Sequence, residues 1–272
     1  MTTEREFPSR TTKDFAKKIL APVGLLRPAQ SLWYRHLNRV LRRDTMKLYC
    51  QFISPGDLCF DIGANTGEMA QVMLELGAKV IAVEPQRESV DALRKRFARY
   101  ANFVLVPKAA GAAIGVGKLM VCGRSYCTTL SSEYIEAVVE SGRLSTEEFR
   151  WDEVREVPIT TLDELIREHG IPVFTKIDVE GFEAEVIKGC SQKLKLLSFE
   201  FTPERLQPAL DCMEMLEKLG PVEFNYCVES ERELRLPAWV SRDKMADLLK
   251  TTRFRVRTAP GGDVYARYLD LL

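Results

Sequence analysis

The chain has 272 residues, 46% hydrophobic and 29% charged, which suits one α/β domain, or one domain with a cap, built on a real core. Its 39 basic and 39 acidic residues leave a formal net charge of +0, so no global field draws it onto nucleic acid or acidic lipid. The seven cysteines are scattered without a C-x-x-C pair and the histidines are only His36 and His169, which excludes a zinc-type cluster by spacing and suits buried thiols in a reducing cytoplasm.

Residues 1 to about 30 are polar, then punctuated by Pro and Gly. The apolar run around 19–26 is short, Pro-interrupted and lacks a small-residue cleavage pattern, so it reads as an arm packing on the domain rather than a secretion signal. No stretch approaches the roughly 20 apolar residues of a membrane span, so a cytoplasmic protein without stable membrane insertion is expected. Between 32 and 52, Leu32, Leu37, Val40, Leu41, Leu48 and Phe52 recur at near-helical spacing among arginines. Residues 1–52 are therefore expected to be an arm with helices, and 53–272 the main domain.

After the turn Ser54-Pro55-Gly56-Asp57, strand and helix alternate. The pattern predicts strands at 58–61, 79–84 and 103–106, with helices at 67–76 and 87–99 between them. Residues 108–130 carry four glycines and read as hairpin and loop, and 131–152 as a polar helical cap with a capping box at Ser145-Thr146-Glu147-Glu148. A second capping box, Thr161-Leu162-Asp163-Glu164, opens a helix that stops at Gly170. Strands at 171–178 and 194–201, helices at 182–188, 208–219 and 242–249, and late strands near 226–228 and 263–268 complete the chain. Such alternation argues for α/β architecture: a doubly wound, mostly parallel sheet with helices on both faces.

Three constellations carry chemistry. The first is Phe60-Asp61-Ile62-Gly63-Ala64-Asn65-Thr66-Gly67, a glycine-bearing turn between a strand and a helix that lets backbone approach a ligand. The third glycine of a dinucleotide fingerprint is replaced by Ala70 at best, so a pyrophosphate is not demanded. An adenosine ligand with an amino-acid tail, such as S-adenosylmethionine, fits better: Asp61 faces its ammonium, Asn65 and Thr66 add hydrogen bonds, and the helix start at Gly67 favours its carboxylate. The second is Glu84, twenty-three residues after Asp61, placed to accept both hydroxyls of a ribose before Pro85 stiffens the strand exit. The third is Lys176-Ile177-Asp178-Val179-Glu180-Gly181, with two acids at the carboxyl end of a strand. In an extended chain residues 178 and 180 share a side, so both carboxylates face one cleft as general base and hydroxyl acceptor. Glu180 or Glu183 capping the next helix is the blander alternative. Glu200, an acid within an apolar strand, is a candidate cleft wall, and Lys176 with Glu200 is assigned to the acceptor side. Nothing in the spacing of Asp178, Glu180 and Glu200 calls for a metal, and none is assigned.

These segments, with Val83-Glu84-Pro85 and Val157-Pro158-Ile159-Thr160-Thr161-Leu162-Asp163, resemble over residues 55 to 205 the FkbM family of S-adenosylmethionine-dependent methyltransferases. The resemblance implies a class I, Rossmann-like methyltransferase sheet. It also implies that Asp61, Gly63, Asn65 and Gly67 hold the methionine part, that Glu84 holds the ribose, and that Lys108-Ala109-Ala110 lies by the adenine or the methyl-donor side. O-methylation of a sugar, macrolide or other natural product follows as the expected activity, with Asp178 or Glu180 as base and a small-molecule acceptor as partner. A homo-oligomer is left open. A nicotinamide-dependent oxidoreductase and a non-catalytic, cofactor-binding accessory protein are the competing readings.

Overall fold

The computed structural model describes residues 40–144, 149–228, 232–251 and 261–271. The chain divides into two compact units, 1–43 and 44–272, and the second carries the strands and the cleft between them. The arm, most of the amphipathic stretch and the box at Ser145–Glu148 lie outside the described residues.

In chain order the elements are α1 (residues 40–49), β1 (Leu58–Ile62), α2 (Glu68–Glu75), β2 (Lys79–Val83), α3 (Arg87–Arg96), β3 (Phe103–Val106) and β4 (Ala109–Ala110). Then come β5 (Gly115–Val121), α4 (Ser132–Ser141), β6 (Glu153–Thr160), α5 (Leu162–His169), β7 (Phe174–Ile177) and α6 (Glu183–Lys188). The rest are β8 (Leu196–Phe201), α7 (Gln207–Leu219), β9 (Val222–Val228), α8 (Arg242–Leu249) and β10 (Gly262–Tyr268). The main sheet has seven strands in the order β3-β2-β1-β7-β8-β10-β9. Pairing is parallel from β3 through β8, and β10 runs antiparallel between β8 and β9. The strand order reverses beside β1, between β2 and β7, which is where an open α/β sheet leaves a crevice at the carboxyl ends of its strands.

Buried strands of this kind read as near-continuous apolar runs because helices cover both faces. On one face Phe60, Ile62, Ile81, Ile177 and Phe199 pack against α5, α6 and α7. On the other, Cys59, Val80, Ala82 and Phe174 pack against Leu48 and Tyr49 of α1, Met73 of α2 and Leu93 of α3. A three-stranded sheet, β4-β6-β5, stands beside the main one, with β4 parallel and β5 antiparallel to β6. Among the described residues no helix is long and apolar enough to cross a membrane.

Two expectations need correction, and one strand was not expected. The strand expected over 171–178 is only Phe174–Ile177, and the acids beyond it lie in a turn. Among the described residues of the polar stretch 131–152 the helix covers Ser132–Ser141, where the Ser131 hydroxyl accepts the Tyr134 amide at 3.1 Å. From Glu153 the chain is strand β6, which periodicity missed because Pro158 interrupts it. The proline is tolerated because β4 pairs only with Ile159 and Thr160, so β6 is an edge on that side at position 158.

Candidate active site

The turn after β1 is held between two strand ends. The amides of Gly63 and Ala64 donate to the Val83 carbonyl at 2.9 and 3.1 Å, and a Cβ on Gly63 would overlap the Asp178 carbonyl oxygen. Gly63 has φ +82°, so both backbone conformation and space require glycine there. Asn65, at φ 46°, is one of the few side-chain-bearing residues in the left-handed region, and its amide donates to Glu84 Oε2 at 2.8 Å. Its side-chain Oδ1 accepts the hydroxyls of Ser89 at 3.3 Å and Ser125 at 3.1 Å, which ties the turn to α3 and to the segment after β5.

Glu84 is buried, with its second oxygen accepting the Gln86 amide at 2.8 Å. Each carboxylate oxygen thus has one lone pair engaged by backbone and a second left for a ligand hydroxyl. Burial pushes its carboxyl up to about 7, against the opposing pull of the Gln86 and Asn65 amides. Asp61 is also buried, and burial outweighs the nearby Lys176 cation to raise its carboxyl to about 6. The Ala70 amide, in the first turn of α2, hydrogen-bonds to it. Asp61 Oδ2 has no hydrogen-bond partner among the described residues. A buried carboxylate oxygen left bare is costly unless something supplies it a donor.

The acids beyond β7 are brought together by a turn, not by an extended strand. Glu180 adopts φ 56° and Gly181 φ 87°. Glu183 Oε1 accepts the amides of Val179 and Gly181, both at 3.1 Å, so this buried carboxylate builds the turn from the start of α6. Burial raises the Glu183 carboxyl above the ordinary glutamate value. Glu180 accepts a short hydrogen bond from the Tyr134 hydroxyl of α4, and its carbonyl accepts the Thr129 hydroxyl at 2.7 Å. Lys176 Nζ lies 2.5 Å from Asp178 Oδ2. One oxygen from each of Asp178, Glu180 and Glu200 lies within 4.8 Å of the others.

The structure brings Gly63, Asn65, Glu84 and Pro85 together with Ala109, Asp178 and Glu180 on the wall of one cleft. Asp61 and Gly67 stand behind that wall, and Glu200 joins it only through its proximity to Asp178 and Glu180. Two assignments are corrected. Thr66 is exposed and outside the cleft, its carbonyl accepting Arg96 Nη1 at 2.6 Å. Lys176 has only 4% of its side chain exposed and is engaged by Asp178, so it does not present an ammonium to the acceptor. Ser125, Tyr126, Leu119 and Thr128 also line the cleft. Nothing in local pattern marked Ser125 or Tyr134, whereas the position of Glu183 at a helix start did mark it as a capping acid, and it accepts the amides ahead of that helix.

A parallel sheet with one reversed strand near its edge, a glycine turn after β1 and acids after β2 and β7 define the class I, Rossmann-like methyltransferases. The Methyltransferase FkbM domain matches residues 61–222, and the chain belongs to this family. It is an S-adenosylmethionine-dependent methyltransferase. The chain's own residues fit that cofactor: the bare, buried Asp61 oxygen suits an ammonium, and the backbone-held Glu84 carboxylate suits a diol. No curated protein matches the chain. Among solved structures it is similar to a precorrin-6y C5,15-methyltransferase from Geobacter metallireducens GS-15, at 13% identity and TM-score 0.44 over 83% of this chain and 87% of that one. It is also similar to the magnesium protoporphyrin IX methyltransferase of Synechocystis PCC 6803 with bound cofactor, at 11% identity and TM-score 0.43 over 85% and 79%. Fibrillarin from Aeropyrum pernix, with natively bound S-adenosyl-L-methionine, aligns at 11% identity and TM-score 0.41 over 79% and 68%.

Proposed function

We propose that this protein methylates a hydroxyl group on a small molecule such as a sugar, a macrolide or another natural product. The observation that carries the reading is the convergence of the Asp178, Glu180 and Glu200 carboxylates beside the cofactor turn. An alcohol is a weak nucleophile until its proton is removed, so a hydroxyl acceptor needs a base where an amine in its neutral form does not.

Asp61 faces the cofactor's ammonium, Glu84 accepts its ribose hydroxyls, and the backbone of Gly63, Asn65 and Gly67 holds the methionine part. Pro85 and Ala109 border the adenosine. When bound, S-adenosylmethionine supplies an electrophilic methyl group. The acceptor hydroxyl would donate to Asp178, aligned by the cleft, and pass its O–H proton to that carboxylate as its oxygen took the methyl group, while the electron pair of the broken S–CH3 bond stayed on the donor's sulfur, leaving S-adenosylhomocysteine. Glu180, fixed by Tyr134, and Glu200 stand beside Asp178. Much of the acceleration comes from orientation of the two reactants.

Calorimetry with S-adenosylmethionine and NAD, followed by mass spectrometry of a panel of sugar, macrolide and amine acceptors, tests the reading. Binding of the methyl donor and methylated hydroxyls are expected, with Asp178→Asn lowering kcat by about 100-fold or more while leaving donor affinity within about threefold. Methylation confined to amines, or an Asp178→Asn variant with wild-type turnover, overturns it.

A further inference from the structure

Lys176, the charged residue that opens the Lys-Ile-Asp-Val-Glu-Gly segment, does not line the cleft. Asp61 on β1, Lys176 on β7, Ser198 on β8, Tyr265 on β10 and Asn225 on β9 form one register row across the sheet. All five are buried. A polar row in the middle of a seven-stranded sheet is costly, and apolar side chains would fill the same places more cheaply.

The charged and titratable groups that face Lys176 are Asp178 beyond β7, Asp263 on β10, Tyr49 on α1 and Asp61 on β1. Asp263 is itself 3.5 Å from the guanidinium of Arg232. Burial alone would lower the proton affinity of the ammonium, yet these neighbours, Asp178 foremost, outweigh it and raise Lys176 above the usual lysine value. The contact at Asp178 is asymmetric. Oδ2 is taken by Lys176 at 2.5 Å, while 35% of the Asp178 side chain stays exposed on the cleft.

We propose that Lys176 is a positioning residue for methyl transfer: its buried ammonium, set between Asp61 and Asp178, grips one oxygen of Asp178 so that the rest of that carboxylate is held toward the acceptor hydroxyl. This rests on Asp178 receiving the acceptor's proton. The same ammonium is the counter-charge behind Asp61, so a single buried cation supports the acid on the donor side and the acid on the acceptor side. A strand interior is well suited to the task, because its backbone ladder leaves the lysine little freedom to drift.

Lys176→Met, Lys176→Gln and Lys176→Arg in the full chain test the assignment. Lys176→Met is expected to lower kcat by about 100-fold, since misplacing a reacting group by about 1 Å costs that much, while the acceptor KM changes by less than about threefold. Lys176→Arg, which keeps the cation, is expected to recover at least about tenfold of that loss, and Lys176→Gln carries the comparison if the methionine variant does not fold. Wild-type kcat in Lys176→Met or Lys176→Gln, or an acceptor KM that rises while kcat stays, overturns the proposal. A readout free of turnover is a crystal structure of the same variant with S-adenosylhomocysteine. Asp178 turned away from the cleft is expected, and an unmoved Asp178 overturns the proposal. If instead Asp178→Asn keeps full activity while Lys176→Met loses it, the role given to Asp178 as proton acceptor has failed on its own.

Discussion

Gly63 sits where three parts of the site meet: the end of β1, the Val83 carbonyl of β2 and the Asp178 carbonyl beyond β7. Its left-handed backbone and the absence of room for a Cβ act together, and neither can be relieved by a side-chain rotation because the obstructing atom is backbone. Gly63→Ala is expected to destabilise the protein by more than about 2 kcal/mol and to weaken S-adenosylmethionine binding, read by urea melts and calorimetry. Gly67 has the same backbone requirement, but its Cβ would meet side chains, the Phe97 ring and a Leu93 methyl, in place of backbone. At this scale the sequence was informative: Gly63, Asn65, Glu84 and Asp178 were marked by residue type and spacing alone. Thr66 and Lys176 were marked by the same signals, yet one faces solvent and the other the interior of the sheet. A motif names the neighbours of a site, and side-chain direction is decided by packing.

Among the elements, the turn 178–181 is the most instructive. Strand geometry suggested that residues 178 and 180 share a side, and they do share the cleft, but through the left-handed Glu180 and the amides gathered by Glu183. Removing that acceptor leaves two amides of the turn and a small cavity without compensation. Glu183→Ala is therefore expected to cost about 2–4 kcal/mol and to lower methyl transfer, whereas Glu183→Gln, which keeps a carbonyl oxygen, costs within about 1 kcal/mol. Paired urea denaturation curves decide it; equal losses in the two variants would mean that the amide contacts are not what matters. The capping box at Thr161 was readable because both its parts are local. The Thr161 hydroxyl accepts the Glu164 amide at 3.1 Å, although the Glu164 carboxylate turns instead to the Thr160 hydroxyl and to Lys108. Strand β6 was not readable, because its pairing partners β4 and β5 lie more than thirty residues earlier and its proline argues against a strand.

Across the whole molecule, the buried acids make stability depend on pH in an unusual sense. Burial raises Asp61 from 3.8 to about 6 and Glu84 from 4.5 to about 7. The folded chain therefore holds these two protons more tightly than the unfolded chain does. Their contribution to stability is fully present below about pH 4 and is lost as pH rises through 6 to 7. A ligand bearing an ammonium and a ribose diol favours the ionised forms, so binding releases protons and its affinity grows across the same window. Thermal melts with and without S-adenosylmethionine from about pH 5 to 8 are expected to show a ligand-induced rise in Tm that increases with pH; a rise that is flat or shrinks with pH would remove both acids from the cofactor site.

By itself the sequence determined the alternation of strands and helices, the glycine turn with its downstream acid, and hence the cofactor. Those properties are encoded in residue type, period and short-range spacing, and α/β order follows from them under general rules of connection. Only the tertiary structure decided that β10 inserts antiparallel between β8 and β9, that Tyr134 reaches Glu180 across 46 positions, and that Lys176 points into the sheet beneath Asp178. Each depends on contacts between residues far apart in the chain, whose geometry is set by which faces pack together and not by any local pattern. The glycine turn itself illustrates the division: its chemistry was written in eight consecutive residues, and its shape is held by the Val83 carbonyl and closed in by the Asp178 carbonyl, both far along the chain.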